Sequence, residues 1–185
     1  MEEITPEKVI LIADDGTVLE GSGRRHIEFH IHAALLRARQ DVTATVHTHA
    51  DAATAFAALD EPLRPLSHDA IPFLDPDVVR FTRTGDLIAT SELGDALAET
   101  IGDANGCLIP GHGMVTVGTD LPTAVMHAAL LDRACRIQLQ AAAAGGPARW
   151  SSDSEVQDKR RGLWTPQQLD AGYDYLVRAG STGPG

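Results

Sequence analysis

The sequence has few of the residues that mark stapled or membrane-bound proteins. Two cysteines in 185 residues are too few for a disulfide framework, and Cys107 and Cys135 lack the spacing of a zinc motif. No apolar run approaches the ~20 residues that a membrane span needs. The first residues, MEEITPEKVI, contain no basic segment followed by an apolar one, so no signal peptide is recognisable. These absences predict a cytoplasmic protein whose cysteines act as small buried hydrophobes.

Positive charge is also scarce. Fifteen Lys and Arg residues stand against 26 Asp and Glu residues, which gives a formal net charge of −11. This balance argues against nucleic acid or an anionic membrane as the main partner. It leaves room for a small anionic substrate, because a local site can be positive on an acidic protein. The chain also lacks an internal repeat and a glycine-rich phosphate-binding fingerprint.

What the sequence does contain is an alternation of strand and helix patterns. KVILIADDGTVLEG predicts two short strands around a turn at Asp15 and Gly16. Apolar residues at helical spacing predict helices within 26–41, 91–101 and 120–144, and β-branched residues predict a strand before His49. The interleaving predicts an α/β protein in which helices cover a mixed or antiparallel sheet.

The chain divides into a main domain and a C-terminal addition. We expect one domain over residues 1–145, and a loop and helix over 146–180 that pack on the same domain. Within the addition, the polar stretch GPARWSSDSEVQDKRR predicts a mobile segment, and TPQQLDAGYDYLVRAG predicts a helix. The last residues, 181–185, are expected to be disordered.

The sequence VHTH at residues 46–49 is a candidate metal-binding motif. A strand directs residues i and i+2 to the same face, about 6.6–6.8 Å apart, so His47 and His49 can converge on one cation. Imidazole is a common ligand of Zn²⁺ and similar metals. His112, which lies between two glycines at a turn, is a candidate third ligand. The alternatives are two polar residues at a strand end and a solvated turn histidine.

The predicted helix HIEFHIHAALL offers an acid and further histidines. Glu28 and His32 are four residues apart and therefore neighbours on one helix face. His26 and His30 form a second such pair on a different face, so both pairs cannot serve one site. We expect the pair of His26 and His30 to lie on a solvated face. A carboxylate beside a three-histidine metal site can be a ligand, a proton shuttle, or each in turn.

Two segments together carry a family resemblance. IEFHIHAALLRARQDVTATVHTHADAATAFA, followed by GCLIPGHGMVTVGTDLPTAVMHAALLDRAC, resembles the class II aldolase/adducin superfamily. The shared pattern is a Glu, a His four residues later, an HxH, and an HG before a long helix. The resemblance implies a three-layer α/β/α sandwich with a mostly antiparallel central sheet. It also implies a homotetramer with the active site near a subunit interface.

The same resemblance implies roles for individual residues. His47, His49 and His112 would bind one divalent metal ion per subunit, with Zn expected and Mn, Co or Fe as alternatives. Glu28 would be the acid/base residue and also a ligand when substrate is absent. His32, which matches the family's histidine four residues after Glu28, is a further catalytic candidate. Tyr173 is a candidate proton donor, because family aldolases use a C-terminal tyrosine; helix packing is its alternative role.

Departures from the aldolase pattern point to a substrate class. The phosphate-binding loops that precede this region in sugar-phosphate aldolases have no counterpart in this sequence. GRRHIEFHIH and PGHG instead resemble a branch that contains aromatic-acid decarboxylases, although Pro110 stands where Arg is usual and Asp132 replaces a longer Glu. Arg24 and Arg25 are candidates to bind a substrate carboxylate, and His68 is a candidate pocket residue.

The sequence therefore predicts a divalent-metal-dependent carbon–carbon lyase. Decarboxylation of a hydroxylated carboxylic acid, with aromatic acids among the candidates, through a metal-stabilised enolate is the favoured reaction. The alternatives are a class II aldolase or epimerase acting on a sugar or sugar phosphate, a non-haem iron oxygenase, and a non-catalytic adducin-like interaction domain.

Overall fold

The computed structural model describes residues 4–181 as a four-stranded sheet between two layers of helices, with a small hairpin beside it. The strands are β1 (Leu11–Ile12), β2 (Val18–Glu20), β3 (Ala44–Thr48), β4 (Val79–Arg80), β5 (Gly106–Ile109) and β6 (Gly113–Gly118). The helices are α1 (Phe29–Ala38), α2 (Asp51–Ala57), α3 (Ser91–Ile101), α4 (Leu121–Ala143), α5 (Asp153–Arg160) and α6 (Pro166–Ser181). Short 3₁₀ helices cover Pro6–Lys8 and His68–Phe73.

The central sheet is mixed. Its strand order is β3-β6-β5-β4; β3–β6 and β6–β5 are antiparallel, and β5–β4 is parallel. β1 and β2 form a separate antiparallel pair, as the Asp15–Gly16 turn predicts. The register places His47 opposite Val115 and Thr48 opposite Met114. The end of β3 thus lies beside the start of β6, directly after the turn that joins β5 to β6.

Alternating side chains of the sheet fill two separate cores. Leu108 and Met114 belong to a core shared with α2, α4 and α6, whereas Cys107 and Val115 belong to a core shared with α1 and α3. This alternation follows from the period of two along a strand. The predicted three-layer α/β/α fold is confirmed. Both cysteines are free and buried.

The polar segment 146–161 was expected to be mobile, and this prediction is wrong for its second half. Helix α5 forms there, because Ser152 accepts the N–H of Glu155 while the Glu155 carboxylate accepts the N–H of Ser152. This reciprocal capping box satisfies two donors that the helix end leaves free. The pattern Ser-x-x-Glu is visible in the sequence and was the missed signal. Val156 then packs into the core beside α4.

The C-terminal loop and helix were predicted to pack on the main domain, and residues 181–185 were predicted to be disordered. Leu169 of α6 lies in the same core as Val156, so both C-terminal helices contact the main domain. Helix α6 ends at Ser181, and the rest of the predicted disordered tail, 182–185, lies outside the described residues. Among residues 4–181, no helix has the length and apolarity required to cross a bilayer.

Candidate metal centre

Helix α1 begins later than its apolar pattern predicts, and this shift places Glu28. The sequence favoured a helix from about His26, but the helix begins at Phe29 and Ile27 is exposed. The Nδ1 atom of His26 accepts the N–H of Glu28, which holds the chain in a turn before the helix. His26 and His30 therefore do not form the predicted helical pair. Glu28 is the N-cap residue, yet its side chain does not cap the helix.

The freed carboxylate of Glu28 points into the protein. It is 1% exposed, and its Oε1 atom accepts the backbone N–H of Ile88 at 2.9 Å. Oε1 also lies 3.3 Å from Nε2 of His112, and Oε2 lies 3.6 Å from Nε2 of His47. Burial raises the pKa of Glu28, but the Ile88 hydrogen bond and the charges of His112 and His47 outweigh it, so the pKa is lowered overall.

His47 is oriented by the neighbouring strand. The Met114 carbonyl on β6 can only accept a hydrogen bond, so Nδ1 of His47, 2.9 Å away, is the donor. This leaves Nε2 with a free lone pair, which lies 3.2 Å from Nε2 of His49. Burial lowers the pKa of His47 to about 4, against an opposing effect of the Met114 hydrogen bond. The imidazole is therefore neutral at pH 7, the form that binds metals.

A tight turn presents His112. The N–H of His112 donates to the Ile109 carbonyl at 3.0 Å, with Pro110 and Gly111 between them. Gly111 has φ +76°, which suits the third position of a type II turn. Gly113 allows β3 to approach, because a Cβ atom there would lie 2.5 Å from the Thr48 carbonyl oxygen. Gly111 permits the turn and Gly113 permits the close approach of β3. Together they allow His112 to lie beside His49.

The structure brings the four predicted ligands into one cluster. The candidate ligand atoms of Glu28, His47, His49 and His112 all lie within 4.8 Å of one another. Ligands at 2.0–2.1 Å around a tetrahedral Zn²⁺ are separated by about 3.3 Å, close to the 3.2–3.6 Å found between neighbouring donor atoms here. Three imidazoles and one carboxylate are a donor set suited to zinc and to other divalent transition metals.

His112 supplies an independent sign that the cluster holds a cation. Its side chain is 5% exposed, and neither ring nitrogen has a hydrogen-bond partner in the part of the chain that the structure describes. A buried nitrogen without a partner is unfavourable, and a metal ion would satisfy Nε2. His49 is the exposed member of the cluster, so the cluster opens to solvent on its side. The residues present therefore fit a divalent metal ion, while metal binding itself stays a prediction.

The other predicted site residues lie outside this cluster. His32 contacts Thr45, which is on the same face of β3 as His47, through Nδ1. Tyr173 packs against the core on the α4 side of the sheet, whereas Glu28 lies on the α1 side. Within a single copy of the chain, the sheet therefore separates these two residues. The predicted catalytic roles of both residues remain predictions.

Further candidates have mainly structural contacts. The carbonyl oxygen of His68 accepts the indole N–H of Trp164, and Arg25 stacks on the ring of Phe29 at 4.4 Å. Sequence reasoning did not find the roles of Ile88 and Met114. They contribute backbone atoms, which leave no signal in residue type.

Known proteins resemble this chain over most of its length. It is 39% identical over 145 residues to the 4-hydroxy-3-prenylphenylpyruvate oxygenase/4-hydroxy-3-prenylbenzoate synthase of Streptomyces roseochromogenus subsp. oscitans, covering 77% of this chain and 52% of that protein. It is also 39% identical over 146 residues to decarboxylase NovR of Streptomyces niveus, covering 78% and 54%. The chain thus spans about half the length of these curated relatives.

Solved structures agree on the fold. The L-fuculose 1-phosphate aldolase from Glaciozyma antarctica PI12 superposes with a TM-score of 0.79 at 26% identity, covering 94% of this chain and 68% of that one. The sequence model of the Class II Aldolase and Adducin N-terminal domain matches residues 1–139, three quarters of the chain. Residues 1–139 include the hairpin, the sheet and all four clustered residues. The chain therefore belongs to the class II aldolase and adducin N-terminal domain family.

Proposed function

We propose that the chain is a divalent-metal-dependent carbon–carbon lyase that decarboxylates a hydroxylated, aromatic carboxylic acid. The observation that carries the proposal is the buried His112, whose ring nitrogens have no hydrogen-bond partner among residues 4–181 and which faces a carboxylate and two further imidazoles. A non-catalytic interaction domain has no need for such a cluster. The similarity to a decarboxylase from Streptomyces niveus supports the choice of reaction.

The three histidines of the cluster are the proposed metal ligands. His47, His49 and His112 would hold the cation, and the exposed side of His49 leaves an approach for substrate. A divalent cation supplies Lewis acidity, which stabilises the negative charge that develops on a substrate oxygen when a carbon–carbon bond breaks. The hydrogen bond from His47 to the Met114 carbonyl fixes the ring that faces the cation.

Glu28 is the proposed proton carrier. Its lowered pKa keeps the carboxylate ionised at neutral pH, so Oε2 can accept the proton of a substrate hydroxyl. Glu28 passes this proton to the ring carbon that carries the carboxylate, which leaves a ketone at the former hydroxyl. When carbon dioxide then leaves, the electron pair of the broken bond restores the aromatic ring, and the negative charge returns to the substrate oxygen. Tyr173 lies on the other side of the sheet, so a role for it as donor requires a second copy of the chain.

The finer attributes of the enzyme belong to the same proposal. We infer that Zn²⁺ is the metal, with Mn²⁺, Co²⁺ or Fe²⁺ as alternatives, because imidazole nitrogens suit all of them. Class II aldolases are often oligomers that act on small molecules, and we infer a cytoplasmic homotetramer with an anionic substrate.

Product analysis of the metal-loaded protein tests the reaction. We expect carbon dioxide release from hydroxylated benzoates or phthalates, without oxygen consumption. Glu28→Gln keeps the acceptor for the Ile88 N–H and should slow the reaction by about 10²–10⁴-fold. His30→Gln is the matched control outside the cluster and should leave the rate near that of the wild type.

Two other outcomes would identify a different reaction. Aldehyde release from sugar phosphates alone would replace decarboxylation by aldol cleavage, which the structural likeness to an L-fuculose 1-phosphate aldolase favours. Oxygen consumption coupled to product formation, dependent on Fe²⁺, would instead indicate an oxygenase, in line with the name of the relative from Streptomyces roseochromogenus. Either result would overturn the proposed decarboxylase.

A further inference from the structure

A second cavity lies at the other end of the central sheet from the metal cluster. Its volume is about 330 Å³, within the range of small-molecule sites. The lining includes Asp103 and Asn105, which immediately precede β5, whereas His112 follows the far end of that strand. The length of β5, about 10 Å at 3.3 Å per residue, therefore separates the two sites along the sheet.

His127 offers this cavity a hydrogen-bond acceptor. It lies on α4, is 7% exposed, and its Nδ1 atom is 2.7 Å from the Val117 carbonyl oxygen. Because that carbonyl can only accept, Nδ1 carries the proton and Nε2 presents a lone pair. Nε2 has no hydrogen-bond partner among residues 4–181, and the side chain lines the cavity. Burial lowers the pKa of His127, so the ring is neutral at pH 7.

Asn105 and three acids supply further acceptors to the cavity, and Arg160 is the basic residue of its lining. Asn105 donates an amide hydrogen to the Pro72 carbonyl at 2.9 Å, and its side-chain oxygen is an acceptor. Asp75 is paired with Arg160, whereas the carboxylate of Asp103 has no ion pair within the described residues. Asp77, the third acid of the lining, is paired with Arg80 at 3.2 Å, so the unpaired negative charge comes from Asp103 and favours a cation that carries hydrogen-bond donors.

Aromatic side chains complete the cavity. Phe73 contacts the edge of His127 at 5.9 Å between ring centroids, and Trp164 lines the same space with its indole N–H bound to the His68 carbonyl. Because that N–H is already satisfied, Trp164 offers the cavity only its ring surface. Ring surfaces of this kind bind planar rings and cations.

We propose that this cavity is a second binding site, separate from the metal centre, for a small aromatic amine in its protonated form. The ring of the ligand lies against Phe73 and Trp164. Its ammonium or hydroxyl donors meet Nε2 of His127 and the free carboxylate of Asp103. The anionic substrate proposed for the metal centre does not fit this acidic lining, so the two sites take ligands of opposite charge.

Calorimetric titration of the metal-loaded protein with tyramine tests the proposal. We expect saturable binding with a Kd on the order of 1 mM, as for a small fragment. The carboxylate analogue 3-(4-hydroxyphenyl)propionate should bind this cavity at least about 5-fold more weakly, because its charge has the wrong sign. In a Trp150→Phe background, tyramine should change the fluorescence of Trp164, the only remaining tryptophan.

Two variants locate the binding. His127→Asn keeps a donor for the Val117 carbonyl but removes the Nε2 lone pair, and should weaken tyramine binding by about 3–10-fold. Asp103→Asn alters an exposed side chain without an ion pair and should weaken it by about 2–5-fold without affecting folding. The metal content should be unchanged in both variants, which separates this test from that of the lyase.

Three results would overturn the proposal. They are the absence of saturable tyramine binding to the wild type, equal affinity for the carboxylate analogue, and unchanged tyramine affinity in Asp103→Asn together with a folded His127→Asn. A failure of lyase activity would leave this proposal intact, because the titration reads binding alone.

Discussion

Both ring nitrogens of His112 are buried and have no hydrogen-bond partner within the described residues. Most buried polar atoms in proteins are satisfied, so an exception of this kind calls for a ligand that the side chain can bind. The neighbouring Glu28 carboxylate is equally buried and lies 3.3 Å away. At the scale of single residues, the cluster is therefore arranged for a cation rather than for internal hydrogen bonding.

His112→Ala should abolish stoichiometric metal binding. Loss of an outer partner of a metal ligand already costs 10–100-fold in affinity, so loss of a ligand should cost more than about 100-fold. Metal analysis of the purified protein measures this, with His30→Ala as a control outside the cluster. Full metal content in His112→Ala would contradict the assignment of the centre.

The buried His127 predicts a dependence of stability on pH. Burial lowers its folded pKa below the ordinary value of 6.5, so below that pH the unfolded chain binds a proton that the folded chain does not. The free energy of unfolding should therefore fall as pH drops below about 6.5, until the lowered folded pKa is reached.

His127→Asn provides the comparison, because it keeps the hydrogen bond to the Val117 carbonyl without titrating. Its urea-unfolding free energy should fall less steeply than that of the wild type between about pH 7 and pH 5. Equal slopes for the two proteins would show that His127 titrates alike in both states.

Helix α2 begins two residues after His49 and has no cap of its own. Its N-cap position is Ala50, and no side chain within the helix accepts a hydrogen bond there. The Oδ1 atom of Asp132, on α4, instead accepts the N–H groups of Ala52 and Ala53, each at 3.1 Å. At the scale of elements, α4 thus fixes the start of α2 and with it the chain that leaves the metal cluster.

Asp132→Ala should destabilise the protein by about 1–2 kcal/mol, the usual cost of removing a helix N-cap. Asp132→Asn keeps the acceptor oxygen and should recover most of this stability. Arg136→Ala removes the exposed ion pair with the other carboxylate oxygen and should change stability little. Urea unfolding measures all three variants, and a large loss in Arg136→Ala would show that the ion pair, not the cap, is responsible.

The whole molecule presents an apolar surface on its hairpin. β1 and β2 are hydrogen-bonded only to each other among the described strands, and Leu11, Val18 and Leu19 are exposed there. A two-stranded hairpin with exposed apolar side chains gains stability when another surface covers it. This surface is consistent with the inferred homo-oligomer.

Sedimentation analysis should therefore find the protein above its monomer mass of 19.6 kDa. Leu19→Lys should shift the population towards the monomer, because it places a charge in the buried interface. Leu59→Lys, at an exposed position just after the end of α2, is the matched control and should leave the mass unchanged. A monomeric wild type would contradict the oligomer.

The local periodicities predicted much of the fold. The Asp15–Gly16 turn, the strand before His49 and the long helix α4 all form near the predicted positions, because their signals lie within a few residues of one another. Helix α1 begins later than predicted because the N–H of Glu28 donates to the His26 side chain and holds a turn there. The pattern of apolar residues contains no signal for this hydrogen bond. Helix α5 was missed although its capping box is local.

By itself, the sequence determined which residues can form the metal centre: the spacing of His47 and His49 on a strand, the glycine-flanked His112, and a family pattern that includes Glu28. Only the tertiary structure decided that these four side chains meet within 4.8 Å, with backbone groups of Ile88 and Met114 orienting two of them. The physical reason is that hydrogen bonds to backbone atoms depend on the path of the chain and not on residue type. The same holds for the second cavity, which His127 and Asp103 line together only because the sheet and α4 pack against each other.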